Sequence, residues 1–241
     1  MTYDRVDSEE TSYELQKKYG KVKVNVISLN ITDLSLFQNT YEVNLTAIQC
    51  VKEASCLGGV YNLILASSGL ESTKGLGGVH ILDISGTVID DVSELKDVYS
   101  LNISGCRNVK DFSKLTGNNE LFASYTLIND TSNLGHLSKL VLINCYNLKA
   151  LKGIEDVKYI EASGCKYLKD VSGLKNNHNV HLEETAIETI EELTNVAYLN
   201  LVGCEGLTCI ENIICDKLVL GYSGYENIVI IDSDIKDTIV I

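Results

Sequence analysis

Aliphatic residues return along this chain at intervals of 19 or 20 positions, at Val24, Val43, Leu63, Leu82, Leu101, Leu121, Leu140, Ile160, Val180, Leu199 and Leu218. Each is followed two positions later by another apolar or small residue: Val26, Leu45, Leu65, Ile84, Ile103, Ala123, Leu142, Ala162, Leu182, Leu201 and Leu220. Spacing by two over a short segment puts both side chains on one face of a strand. A unit holding one such strand cannot enclose a core by itself and is stable only when its neighbours stack on it. The chain is therefore constrained to a solenoid before any motif is read.

Five positions after the strand start, from Leu63 onward, lies a small side chain, at Ser68, Thr87, Cys106, Thr126, Cys145, Cys165, Thr185, Cys204 and Ser223. After Thr the next aliphatic follows two positions on, as from Thr87 to Ile89; after Cys it follows three positions on, as from Cys106 to Val109. The units thus read LxxLxLxxTxI or LxxLxLxxCxxL, the second exemplified by Val98 to Val109. These phrases resemble the leucine-rich repeat family. The stretch from Ile89 to Leu95, IDDVSEL, is similar to the internalin-type subclass, shortened by one three-residue step and lacking its prolines. The resemblance implies an α/β repeat solenoid that is mostly β. It would be right-handed and curved, with a concave parallel sheet of about 10–11 short strands and a convex side of turns, short 3₁₀ pieces or extended backbone. The short Cys and Thr units are also loosely similar to repeats of protists and large DNA viruses.

An unbroken array with no linker-like stretch argues for a single structural domain: an N-terminal cap over 1–22, leucine-rich repeats over 23–220 and a strand-rich C-terminal cap over 221–241. Residues 7–20, DSEETSYELQKKYG, carry acids early, lysines late and a closing Gly20, which predicts a short capping helix. The stretch IVIIDSDIKDTIVI either folds back as a final cap or pairs with another molecule. Proline is absent from all 241 residues, so the corners must be turned by Gly, Asn, Asp and Ser. The first 20 residues are too polar for a secretory signal and no run of 18 apolar residues occurs. The expectation is an intracellular, cytoplasmic protein, or alternatively a virion component.

A net charge of −13 disfavours nucleic acid and anionic lipid as partners. Of the eight cysteines, Cys106, Cys145, Cys165 and Cys204 fill the small slot interchangeably with Thr and Ser, which predicts buried free thiols. Cys56 and Cys215 replace core aliphatics, and Cys50 and Cys209 complete no C-x-x-C spacing. His178, His181, Glu183 and Glu184 cluster near one strand, yet the pattern carries no nucleophile with a paired base and no phosphate loop. No catalytic residue, metal site or cofactor is expected. The sequons at Asn30, Asn44, Asn102 and Asn129 arise from the repeat pattern itself.

What remains is binding of a protein partner through the concave face and the ends, or packing into a larger assembly through the termini. One outward row runs Asn25, Asn44, Ile64, Asp83, Asn102, Phe122, Val141, Glu161, His181, Asn200 and Val219; the next includes Ser124, Ile143, Ser163, Glu183 and Val202. Phe122, Tyr125, Val141 and Ile143 should meet at the centre of the concave sheet in adjoining repeats as an apolar and aromatic patch, the profile of an interaction hot spot. Tyr41, Tyr61, His80 and Tyr99 precede their strands by two positions and should stack at the strand spacing of about 4.8 Å. Tyr159 and Tyr198, one position before theirs, extend that aromatic strip.

Overall fold

The computed structural model describes residues 4–6, 22–27, 30–31, 33–222 and 225–241. The chain forms two compact units, Met1–Asn119 and Glu120–Ile241. Each is a mostly-β solenoid, and every aliphatic strand start from Val24 to Leu218 lies in a strand.

In the first unit, β1 (Asp4–Val6), β2 (Lys23–Val26), β3 (Glu42–Asn44), β4 (Asn62–Ile64), β5 (Ile81–Asp83) and β6 (Ser100–Asn102) pair in parallel. The register aligns Val24, Val43, Leu63, Leu82 and Leu101 in one buried column. Strand β1 extends this ladder one step before Val24. The capping helix expected over 7–20 lies outside the described residues.

The second unit continues the chain with β7 (Glu120–Phe122), β8 (Lys139–Val141), β9 (Tyr159–Glu161), β10 (Asn179–His181), β11 (Thr189–Glu191), β12 (Val196–Leu201), β13 (Cys209–Glu211), β14 (Ile214–Leu220), β15 (Val229–Ile231) and β16 (Asp234–Val240). Its main parallel ladder runs β7-β8-β9-β10-β12-β14-β16, and β11-β13-β15 form a second parallel sheet. Instead of folding back, the C-terminal stretch adds another turn, with Thr238 opposite Leu218.

The side opposite the main ladder is decided by local hydrogen bonding. Where a unit carries Asp-x-Ser, as at Asp91, Asp111, Asp130 and Asp170, the Asp carboxylate accepts the serine backbone N–H at 2.8–3.0 Å. This keeps the chain in a turn, and Ser35–Phe37, Ser55–Leu57, Ser93–Leu95 and Tyr225–Asn227 form single 3₁₀ turns. In the last units the phrase becomes Thr-Ile-Glu, Cys-Ile-Glu and Val-Ile-Ile, β-branched and without the Asp-x-Ser bond, so the chain extends and pairs as β11, β13 and β15.

Those bonds from serine, through backbone N–H or hydroxyl, hold the carboxyls of Asp91, Asp111, Asp130 and Asp170 below their ordinary pKa. A depressed carboxyl stabilises the fold fully above its unfolded value of about 3.9 and loses that contribution as pH falls through the folded value. The melting temperature should stay level from neutrality to about pH 5 and fall below about pH 4. Converting the four to Asn should flatten this acid limb in a thermal melt series. A melting temperature that rises on acidification would show that relief of the −13 net charge dominates instead.

The small slot is not filled interchangeably. Thr87, Thr126 and Thr185 donate to the carbonyl three residues earlier in their own unit at 2.7–2.9 Å. Cys106, Cys145 and Cys204 donate to those same carbonyls, of Ile84, Ala123 and Leu182, from the following unit at 3.1–3.2 Å. Thr therefore closes its own turn, while Cys ties two turns together.

Cys56 is exposed, not buried: its neighbour Leu57 fills the core position. Burial pushes the Cys106, Cys204 and Cys215 thiols up, which makes them slow nucleophiles. A thiol reagent should titrate Cys50 and Cys56 rapidly in the native protein, Cys209 more slowly, and the five buried thiols only after unfolding. Rapid native reaction of four or more would contradict this core.

Candidate functional site

In the first unit, the aromatic strip runs along the entry edge of the sheet, each ring on the residue just before its strand. Ring centroids are 4.9 Å apart for Tyr41 and Tyr61, 4.6 Å for Tyr61 and His80, and 4.8 Å for His80 and Tyr99, all stacked. The parallel ladder sets this spacing because equivalent positions repeat at the interstrand distance. Beside the strip, Asn44, Asp83 and Asn102 accept the backbone N–H two residues on at 2.9–3.0 Å. The sequon matches at Asn44 and Asn102 thus coincide with turns that an Asn side chain closes.

In the second unit, Phe122 and Val141 are register partners, and Ile143 follows on the same face. The expected patch is less open than its composition suggests. Val141 is buried at 9% exposure, Phe122 and Ile143 are half-buried, and the Lys139 ammonium stands 4.9 Å from the Phe122 ring centroid. Tyr125 is exposed but lies in the turn beyond β7 at φ 58°, where its hydroxyl accepts a 3.0 Å hydrogen bond from Asn144. The patch therefore reduces to a half-buried pair, Phe122 and Ile143, with Tyr125 standing to one side.

A denser constellation lies on the adjoining strands. Glu161 in β9 and His181 in β10 are register partners, and Glu183 follows His181 by two residues on the same face. His181 Nδ1 is 3.5 Å from Glu183 Oε1 and 3.8 Å from Glu161 Oε2. Its ring sits between Tyr159 and Tyr198, with centroids at 5.4 and 5.0 Å. Ser163 Oγ bonds both carboxylates, and the buried Asn200 amide donates to Glu183. Asn200 Oδ1 meanwhile accepts the Val202 N–H at 3.1 Å.

Hydrogen bonding to Glu183 raises the pKa of His181 despite its burial, and the Glu161 and Glu183 charges act in the same sense. For Glu183, burial opposes ionisation, but hydrogen bonds from His181 and Ser163 outweigh it and leave the carboxyl below its ordinary value. Burial and the Glu161 charge push the Tyr159 hydroxyl up. The Ser163 hydroxyl is committed to carboxylates, so the group is not arranged as a nucleophile with its base.

His178 and Glu184, which lie next to these residues along the chain, are exposed and stand outside the cluster. Glu161 was the residue missed. The available signal was its place 20 residues before His181 in the same outward row, which matters more than closeness in sequence. Tyr159 and Tyr198, expected as an extension of the aromatic strip, instead flank the histidine.

No family model and no curated protein matches the chain. Among solved structures, it is similar to an internalin, InlF, from Listeria monocytogenes, at 16% identity over 89% of this chain and 79% of that one, with a TM-score of 0.56. It is also similar to the functional domain of InlJ from Listeria monocytogenes, which includes a cysteine ladder, at 15% identity over 86% and 64%, with a TM-score of 0.43. The likeness to InlF shows that the chain has the leucine-rich repeat fold of the internalin type.

Proposed function

We propose that this protein is a non-enzymatic binding module that holds a protein partner against the open face of the second unit's sheet. The observation that carries this reading is the composition of that face. Half-buried Phe122 and Ile143 adjoin a group of Glu161, His181 and Glu183 bordered by tyrosines, all fixed on one hydrogen-bonded ladder. Apolar anchors next to oriented polar groups give area and specificity without a cost for ordering loops. The −13 net charge favours a partner that presents a basic surface. Among the described residues, no helix is long and apolar enough to cross a membrane.

A second reading, a structural subunit of a larger assembly such as a virus particle, is favoured by one observation. Strand β15 presents Val229, Ile230 and Ile231 at 56%, 46% and 38% exposure. Exposed apolar side chains gathered on one strand suit packing against another molecule. Light scattering on the purified chain, together with co-purification from its native source, separates the two readings. The binding module is expected as a monodisperse species recovering one discrete partner at fixed stoichiometry. Recovery only within a large particle would sink that reading in favour of the subunit.

A further inference from the structure

We propose that Glu161, His181 and Glu183 form a binding site for a divalent cation, with Zn²⁺ the ion best matched to their donor atoms. One ligand atom from each of the three lies within 4.8 Å of the others. Two ligands about 2.0–2.1 Å from a tetrahedral zinc stand about 3.3–3.4 Å apart. The observed separations of 3.5 and 3.8 Å from His181 Nδ1 lie close to that spacing.

The site has the support that a metal site needs. Glu161 and His181 are fixed opposite each other by the β9–β10 register, and Glu183 sits two residues along the same strand direction. The Tyr159 and Tyr198 rings hold the imidazole plane, while Ser163 and the buried Asn200 orient the carboxylates from outside. Outer partners of this kind set ligand orientation and basicity in metal centres.

Charge gives an independent reason. Two carboxylates converge here, and among the described residues neither is paired with Lys or Arg; their ionic partner is His181. The Lys139 and Lys217 ammoniums stand instead over the rings of Tyr159 and Tyr198. Ser163 has one hydroxyl proton but is within bonding distance of both carboxylates, so it can donate to only one at a time. A dication balances both negative charges, and an imidazole donor selects zinc-like ions over Mg²⁺ or Ca²⁺, which prefer oxygen alone. Three protein ligands leave a fourth position on the open face for water or for a side chain of a bound partner. The cation site does not depend on the partner-binding reading, since its geometry is complete within this chain.

The test uses the full chain without a polyhistidine tag, with Cys50→Ser and Cys56→Ser to remove exposed thiol ligands, stripped by chelator and then dialysed. Calorimetric titration with ZnCl₂ is expected to show one bound equivalent and a raised melting temperature, with no response to MgCl₂. His181→Gln and, separately, Glu161→Gln should each weaken zinc binding at least about tenfold, and Asn200→Ala by roughly 10-fold through orientation alone. Circular dichroism of each variant before titration establishes that it is folded. Zinc binding that is absent, unchanged in the His181 and Glu161 variants, or matched by MgCl₂ would overturn the proposal.

Discussion

Asn177→Val should lower stability by about 2–4 kcal/mol, although valine occupies the same slot in other units. Three residues before the strand start, Val60, Val79, Val98 and Val157 are buried, and their backbone N–H groups bond the carbonyl three residues earlier at 3.0–3.2 Å. Consensus reasoning from these copies makes Asn177→Val a stabilising change. The structure reverses that sign. Asn177 is fully buried, and its amide donates to Ile154 O at 2.8 Å and Val157 O at 2.7 Å while its carbonyl accepts Lys175 N at 2.9 Å. Valine would leave these interior backbone groups without those bonds, and each unsatisfied group costs about 1–3 kcal/mol. Ile154 O keeps its bond from Val157 N, so the full sum is not reached. The melting temperature should drop roughly 5–15 °C, and amide exchange near β10 should quicken, because a solenoid lesion is felt first by adjacent units. An unchanged or raised melting temperature would remove Asn177 from its bridging role.

Phe122→Ser combined with Ile143→Ser should weaken partner binding by about 30-fold or more, the loss expected when hot-spot residues worth 2–4 kcal/mol are truncated. Both side chains are half-buried on the open face, so serine leaves the ladder and the buried Leu121, Leu140 and Leu142 intact. Val141 belongs to the same patch but is unsuitable for this test. At 9% exposure it is part of the packing, and a polar replacement would measure folding instead of recognition. Circular dichroism and melting should remain close to wild type, and binding to the partner recovered by co-purification supplies the readout. Affinity equal to wild type would move the contact surface away from Phe122 and Ile143.

The two expectations differ in how they could be reached. Phe122 and Ile143 stand out in the sequence because they interrupt rows that are otherwise small and polar. Asn177 also interrupts a pattern, as a polar residue where Val60, Val79, Val98 and Val157 stand in other units. Only the close approach of its amide to the preceding turn shows that it is interior. Asn118 does the same in the first unit, donating to Leu95 O and Val98 O at 2.9 and 2.6 Å. The sequence also ranks Cys and Thr as equivalent fillers of one slot. Their bonds run in different directions because a thiol, with its longer bond to carbon, reaches across to the carbonyl of the preceding unit.

By itself, the sequence determined the period, the strand positions and, within each unit, the buried strand-start residues, Val24 to Leu101 in the first and Leu121 to Leu218 in the second. These follow from alternation within one strand and from the repetition of that strand, both local properties of the chain. It also determined the spacing of Tyr41, Tyr61, His80 and Tyr99, which needs no more than equal register. Only the tertiary structure decided which polar side chains meet. Glu161 reaches His181 from the neighbouring strand and Glu183 from two residues further along the chain, whereas His178 and Glu184, three residues away on either side, do not. The physical reason is that register fixes where a backbone position lies, but side-chain rotation, the flanking rings and competing hydrogen bonds fix where its charge ends up.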